Sequence, residues 1–118
     1  MKFVVGIVPG EALEAVTEAL AREAIYRLTI SEVEFIDTTT AGSGSPIRSD
    51  RSEESCALRL EIAVNDEFLE PALRAFREVE RAFGQSEPES RSGTFWVSVL
   101  PLQDVIRIRT GETGTAAI

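Results

Sequence analysis

Histidine is absent from this sequence, and cysteine, methionine, tryptophan and tyrosine occur once each. Without imidazole the commonest metal ligand and general base is missing, which excludes histidine-built zinc sites and Ser-His or Cys-His catalysis. The single cysteine, Cys56, cannot form a disulfide within the chain and reads as a small buried residue at the start of a strand. Basic residues are also scarce. Twelve stand against twenty acidic ones, a formal charge of -8 that repels phosphodiester backbones and anionic lipid at long range. A nucleic-acid partner is therefore not expected, and any anion site must be local. The opening apolar run, Phe3-Val4-Val5-Gly6-Ile7-Val8, is too short to span a bilayer and is closed by Pro9-Gly10. The expectation is a cytoplasmic protein without a targeting segment. Its 118 residues form one domain, large enough to bury roughly two thirds of the surface of the unfolded chain.

What is present alternates between two hydrophobic periods. Residues 2–8 read as a buried strand ended by Pro9-Gly10. From Glu11 to about Ala24, Leu13, Val16, Leu20 and Ala24 recur at helical spacing, and Glu18 and Arg22 stand four apart as an ion pair along that helix. Residues 26–36 are β-branched and aromatic, with a change of parity between Ile30 and Val33 that predicts a bulge or twist. Cys56 to Val64 alternates most clearly, with Leu58, Leu60, Ile62 and Val64 on one side and Ala57, Arg59, Glu61 and Ala63 on the other. Asn65 or Asp66 is positioned to cap a second helix reaching about Phe83, with Leu69, Leu73, Phe76, Val79 and Phe83 as its apolar stripe. Thr94 to Leu100 reads as a further strand.

Two segments break the pattern. Residues 37–55 contain almost no large apolar side chain and cannot offset their ordering entropy by burial, so they read as a long loop for partner binding or modification, or as a plain connector. Ser43, Ser45, Ser49 and Ser52 there read as solvent-facing filler or as phosphorylation sites. A second polar loop spans about residues 84–93.

Strand, helix, strand repeated twice is the order of an α+β, ferredoxin-like split βαβ sandwich (βαββαβ), to which a short extra C-terminal strand is added. Two helices cover one face of such a sheet. The other face is left with valine, phenylalanine, leucine and tryptophan side chains, which predicts a closed homo-oligomer. The added strand carries the pattern with most chemical content, Val105-Ile106-Arg107-Ile108-Arg109. In an extended chain Arg107 and Arg109 leave the same face, where two guanidinium forks fit a phosphate. As an alternative, the pair is a solvated sheet edge.

Several segments together resemble the PII signal-transduction proteins. The C-terminal run Val105-Ile106-Arg107-Ile108-Arg109-Thr110-Gly111-Glu112, after Trp96-Val97-Ser98-Val99, is similar to the family's signature. Ile7-Val8-Pro9 leading into Leu13-Glu14-Ala15-Val16 resembles its first strand and helix, Leu28-Thr29-Ile30-Ser31-Glu32-Val33 its second strand, and Leu60-Glu61-Ile62-Ala63-Val64 its third. The resemblance implies a homotrimer that binds adenine nucleotides, and often 2-oxoglutarate, between subunits. It also implies that the loop at about 37–55 is a T-loop, which docks onto a membrane transporter or metabolic enzyme of nitrogen or inorganic-carbon metabolism. Carried over, Arg107 and Arg109 are phosphate-binding arginines, Thr29, Glu61 and Ala63 surround the adenine, and Gly93 ends the phosphate-side loop at about 84–93.

Departures from the family pattern sharpen this expectation. Thr94 stands where the phosphate-loop lysine is expected, the loop gains Glu87 and Glu89, and Arg91 is only a partial substitute. Losing a cation while gaining carboxylates weakens a triphosphate more than a shorter phosphate chain, which favours ADP or AMP over ATP. At the base of the T-loop, Asp37, Thr38 and Thr39 replace the groups that hold Mg-ATP and 2-oxoglutarate, and Asp37 repels a dicarboxylate. The tyrosine that is uridylylated in many relatives is absent from the loop; Tyr26 lies at a strand start instead. The adenine nucleotide is expected as an effector, with no covalent cofactor and no metal. The runner-up is a carbon-metabolism sensor of the same family that takes bicarbonate with AMP or ADP. A structural trimer without ligand is a further alternative. Glu32 and Glu61 on neighbouring strands would be the carboxylates of an enzyme, but no nucleophile accompanies them, so a non-enzyme is expected.

Overall fold

The computed structural model describes residues 1–35, 56–86 and 95–118. Alternating side chains in Lys2–Pro9 form β1, which passes through a 3-10 turn at Gly10–Ala12 into helix α1, Leu13–Arg22. Strands β2 (Thr29–Glu34) and β3 (Cys56–Val64) follow, then a 3-10 turn at Asp66–Phe68, helix α2 (Leu69–Ser86) and strand β4 (Trp96–Pro101). The sheet has the order β2-β3-β1-β4, and every neighbouring pair is antiparallel. This is the expected split βαβ arrangement, with β3 inserted between β1 and β2.

Side-chain parity assigns the two faces. Val4 and Val8 of β1 and Leu58, Leu60, Ile62 and Val64 of β3 are buried under α1 and α2, which contribute Val16, Leu20, Phe76 and Val79. Each fully buried aliphatic or aromatic side chain here is worth about 1.5–3 kcal/mol relative to exposure. Gly6 is the small member of this layer. A Cβ at that position would lie 2.8 Å from Cε1 of Phe76, so the α2 ring packs directly on the strand backbone. The opposite face presents Phe3, Val5 and Ile7 of β1 beside Leu100, Ser98 and Trp96 of β4. Among the described residues no helix covers them, and Trp96 and Leu100 are 57% and 45% exposed.

Helix α1 ends in a Schellman motif. The Ile25 N–H bonds the Leu20 carbonyl at 2.9 Å, the Ala24 N–H bonds the Ala21 carbonyl at 3.0 Å, and Ala24 takes φ 65° where glycine is usual. Leu20 and Ile25 are both buried, which anchors the turn hydrophobically. Across the two ends of the 84–94 segment, the rings of Phe83 and Phe95 meet with centroids 5.8 Å apart.

Several expectations are corrected. The predicted bulge in the second strand does not form, since β2 pairs with β3 in unbroken register from Thr29↔Glu61 to Glu34↔Cys56. Arg22 turns across to Glu78 on α2 at 3.7 Å rather than along its own helix to Glu18, because packing brings a second carboxylate source alongside. Asn65 occupies the N-cap position without a side-chain cap, and its amide is used elsewhere. Tyr26 lies ahead of β2, in the irregular link from α1, and is 73% exposed. The extra C-terminal strand is reduced to an isolated bridge, Ile106↔Thr113, followed by a 3-10 turn at Gly114–Ala117.

Candidate functional site

The end of β4 is tied to the start of the chain by the Leu102 N–H, which bonds the Met1 carbonyl at 3.1 Å. Beyond it the chain folds back on itself. The Arg107 N–H bonds the Glu112 carbonyl at 2.9 Å and the Gly111 N–H bonds the Arg107 carbonyl at 2.7 Å, closing a turn that Gly111 permits at φ 79°. Asp104 Oδ1 braces its base by accepting from the N–H groups of Val105, at 2.8 Å, and Gly114, at 3.1 Å.

This turn removes the extended backbone on which the alignment of the two arginines was expected. Arg107 is half-buried: its Nε donates to the Ala117 carbonyl at 3.3 Å, and its Nη1 lies 3.7 Å from Glu112 Oε1. That carboxylate is itself held by the Thr110 hydroxyl at 2.9 Å. Arg109 lies exposed at the turn, next to Ile108, which is 88% exposed. Residues 108–110 are not extended, so the parity argument does not apply to them.

On the sheet, Thr29 and Glu61 stand directly opposite one another in the β2–β3 register, with Ala63 two residues further along β3. Glu61 pairs with Arg59 on the same face at 2.9 Å. Ala63 also lines a cleft of about 290 Å³ formed by residues 24–27, residues 63–65, Phe68 and Ile118. The Schellman turn sends the chain along one wall of this cleft, and the C-terminal tail closes another. Asn65 Nδ2 reaches the Thr115 carbonyl at 3.4 Å, and Ala117 is buried beneath. The structure thus brings together Ala63, Asn65, Ile118 and, through the Ala117 carbonyl, Arg107. Thr29 and Glu61 flank the group on the sheet, and Arg109 stays outside it. Gly93, Thr94, Asp37, Thr38 and Thr39 lie outside the described residues.

Tyr26 and Asn65 emerge as cleft residues only in three dimensions. Asn65 carried a signal, an amide at a helix start, but the local rule assigns it to a cap. Nearby, the N-terminal ammonium donates to Asp66 Oδ1 at 2.8 Å. That hydrogen bond and the positive charge behind it hold the Asp66 carboxyl below the ordinary carboxylate range, with a smaller contribution from Lys2. Among the described residues no three or more metal-ligating side chains cluster, and no helix is long and apolar enough to cross a membrane.

Comparison with known proteins agrees with this architecture. The family model "Nitrogen regulatory protein P-II" matches residues 1–112. Nitrogen regulatory protein GlnK1 of Methanosarcina mazei is 37% identical over all of this chain and 97% of its own length. Nitrogen regulatory proteins P-II 1 and P-II 2 of Methanothermobacter thermautotrophicus are 32% and 29% identical, again over all of this chain and 97% of theirs.

Proposed function

The chain belongs to the nitrogen regulatory protein P-II family of signal-transduction proteins, and from that premise we propose that it senses an adenine nucleotide, with ADP or AMP preferred to ATP. The nucleotide is bound where the cleft beside Ala63 meets the Arg107 turn, at the seam between subunits of a homotrimer. Occupancy shifts the conformations of the 37–55 loop offered to a protein target, a transporter or enzyme of nitrogen or inorganic-carbon metabolism. The protein does no chemistry of its own in this reading.

The observation that carries it is the convergence of Ala63, with Thr29 and Glu61 beside it, on the same region as Arg107. A guanidinium bonded to the tail that lines an apolar-walled cleft suits a ligand with a flat base and an anionic tail. Arg109, exposed on the turn, is free in direction to reach a ligand shared with a neighbouring subunit. Trimer formation is supported by the uncovered sheet face, where Trp96 and Leu100 would otherwise meet water. Preference for shorter phosphate chains follows from Glu87, Glu89 and Thr94 in the phosphate-side loop. Asp37 opposes a second dicarboxylate ligand, so 2-oxoglutarate is not part of the response.

Calorimetric titration of AMP, ADP and ATP into the intact protein and Arg107→Ala tests the reading. Binding of ADP at least as tight as ATP, and lost in the variant, is expected. ATP binding far more tightly than ADP, or no nucleotide binding at all, overturns it.

A further inference from the structure

We propose that the last turn of the chain, residues 114–118, is an internal competitor for the Arg107 site and must swing away before a nucleotide phosphate engages that guanidinium. The inference rests on the nucleotide reading above and adds a regulatory element to it. In the closed position a carbonyl, that of Ala117, and a carboxylate, that of Glu112, stand against Arg107 at 3.3 and 3.7 Å. The Ala117 carbonyl is the partner a phosphate would replace when the tail moves, since Glu112 precedes the pivot and stays in place, and a phosphate oxygen is a stronger acceptor for guanidinium than a neutral carbonyl. The same turn places Ile118 in the cleft beside Ala63, so one movement frees both the anion site and part of the apolar wall.

The closed position is held by contacts suited to release. Both tail hydrogen bonds are long, 3.3 Å from Arg107 and 3.4 Å from Asn65. Asn65 Oδ1 is buried without a hydrogen-bond partner while its Nδ2 holds the tail. Such an orphaned acceptor counts against the closed state, and opening restores its access to water. Gly114, at φ 65°, is the pivot: its N–H stays bonded to Val105 and Asp104 at the base of the turn while the residues after it carry the movable contacts. A two-position tail lowers apparent ligand affinity by the fraction of molecules that are open.

Titration of ADP into the intact chain, a variant lacking residues 115–118, and Ile118→Ser tests this directly. Truncation is expected to tighten ADP binding about five- to tenfold, and Ile118→Ser to change it less but in the same direction. The gain should vanish when Arg107→Ala is added to the truncation. On the intact chain, amide hydrogen exchange at residues 115–117 should speed up with saturating ADP. Equal or weaker binding in the tail variants, or exchange that is unchanged or slower, overturns the competitor role. Should the truncation not fold, Ile118→Ser and the exchange measurement decide. If the intact chain binds ADP but the tail variants bind no better, only this inference fails; if none binds ADP, the nucleotide reading fails with it.

Discussion

Replacing Gly6 by alanine perturbs the sheet at a point where the Phe76 ring of α2 packs against strand backbone. The new Cβ would sit 2.8 and 2.9 Å from Cε1 and Cζ of Phe76, closer than carbon atoms approach without displacement. Phe76 is only 3% exposed and is enclosed by the core, so the ring cannot simply rotate into solvent. Overpacking of this kind costs about 1–3 kcal/mol. Alanine also removes glycine's excess freedom in the unfolded chain, a gain of about 0.5–1 kcal/mol in a strand. The clash is the larger effect, and Gly6→Ala should destabilise by about 1–2 kcal/mol, a fall in Tm of roughly 3–10 °C for a chain of this size. Thermal unfolding must be followed at one protein concentration, because the proposed trimer assembly would make Tm concentration-dependent. The diagnostic measurement is the double-mutant cycle with Phe76→Leu. That change loses burial by itself but opens the space, so the pair should be less damaging than the sum of the two single changes by about 1 kcal/mol. Additive effects, or a neutral Gly6→Ala, would refute the ring-on-backbone packing.

Other consequences are open to measurement. Ala24→Gly relieves a left-handed backbone at the Schellman position and should raise stability by up to about 1 kcal/mol, readable in urea unfolding; a loss would mean the alanine methyl is needed in the cleft wall. The depressed Asp66 carboxyl contributes stability that is present above its unfolded value and is lost as pH falls through its lower folded value. Asp66→Asn should accordingly flatten the acid limb of the stability profile, and an unchanged limb would dismiss the ammonium pair as a contributor. If the uncovered sheet face builds the proposed trimer, Trp96→Asp puts a charge there and should leave a monomer by light scattering where the unaltered protein is trimeric; a variant that remains trimeric places the interface elsewhere. Arg109→Ala should weaken ADP while leaving the fold unchanged, since no described residue pairs with it in the isolated chain.

Residue identity by itself determined the order of elements, because the side-chain period of a strand or helix is a local property: two for Leu58, Leu60, Ile62 and Val64, and 3.6 for Leu69, Leu73, Phe76, Val79 and Phe83. It also carried the family, since the Arg107-containing run and the three strand segments agree in order. Tertiary structure decided what depends on neighbours remote in the chain. Arg22 chose Glu78 over Glu18 because α2 lies alongside α1. The strand that alternation implied for Arg107 and Arg109 was lost because the backbone turned at Gly111, bonding Arg107 to Glu112. Asn65 left its capping role because residues 114–118 fold back over it, fifty positions later in the sequence. Periodicity reports the surface an element needs to bury, whereas the partner that buries it is settled by the packing of the whole chain.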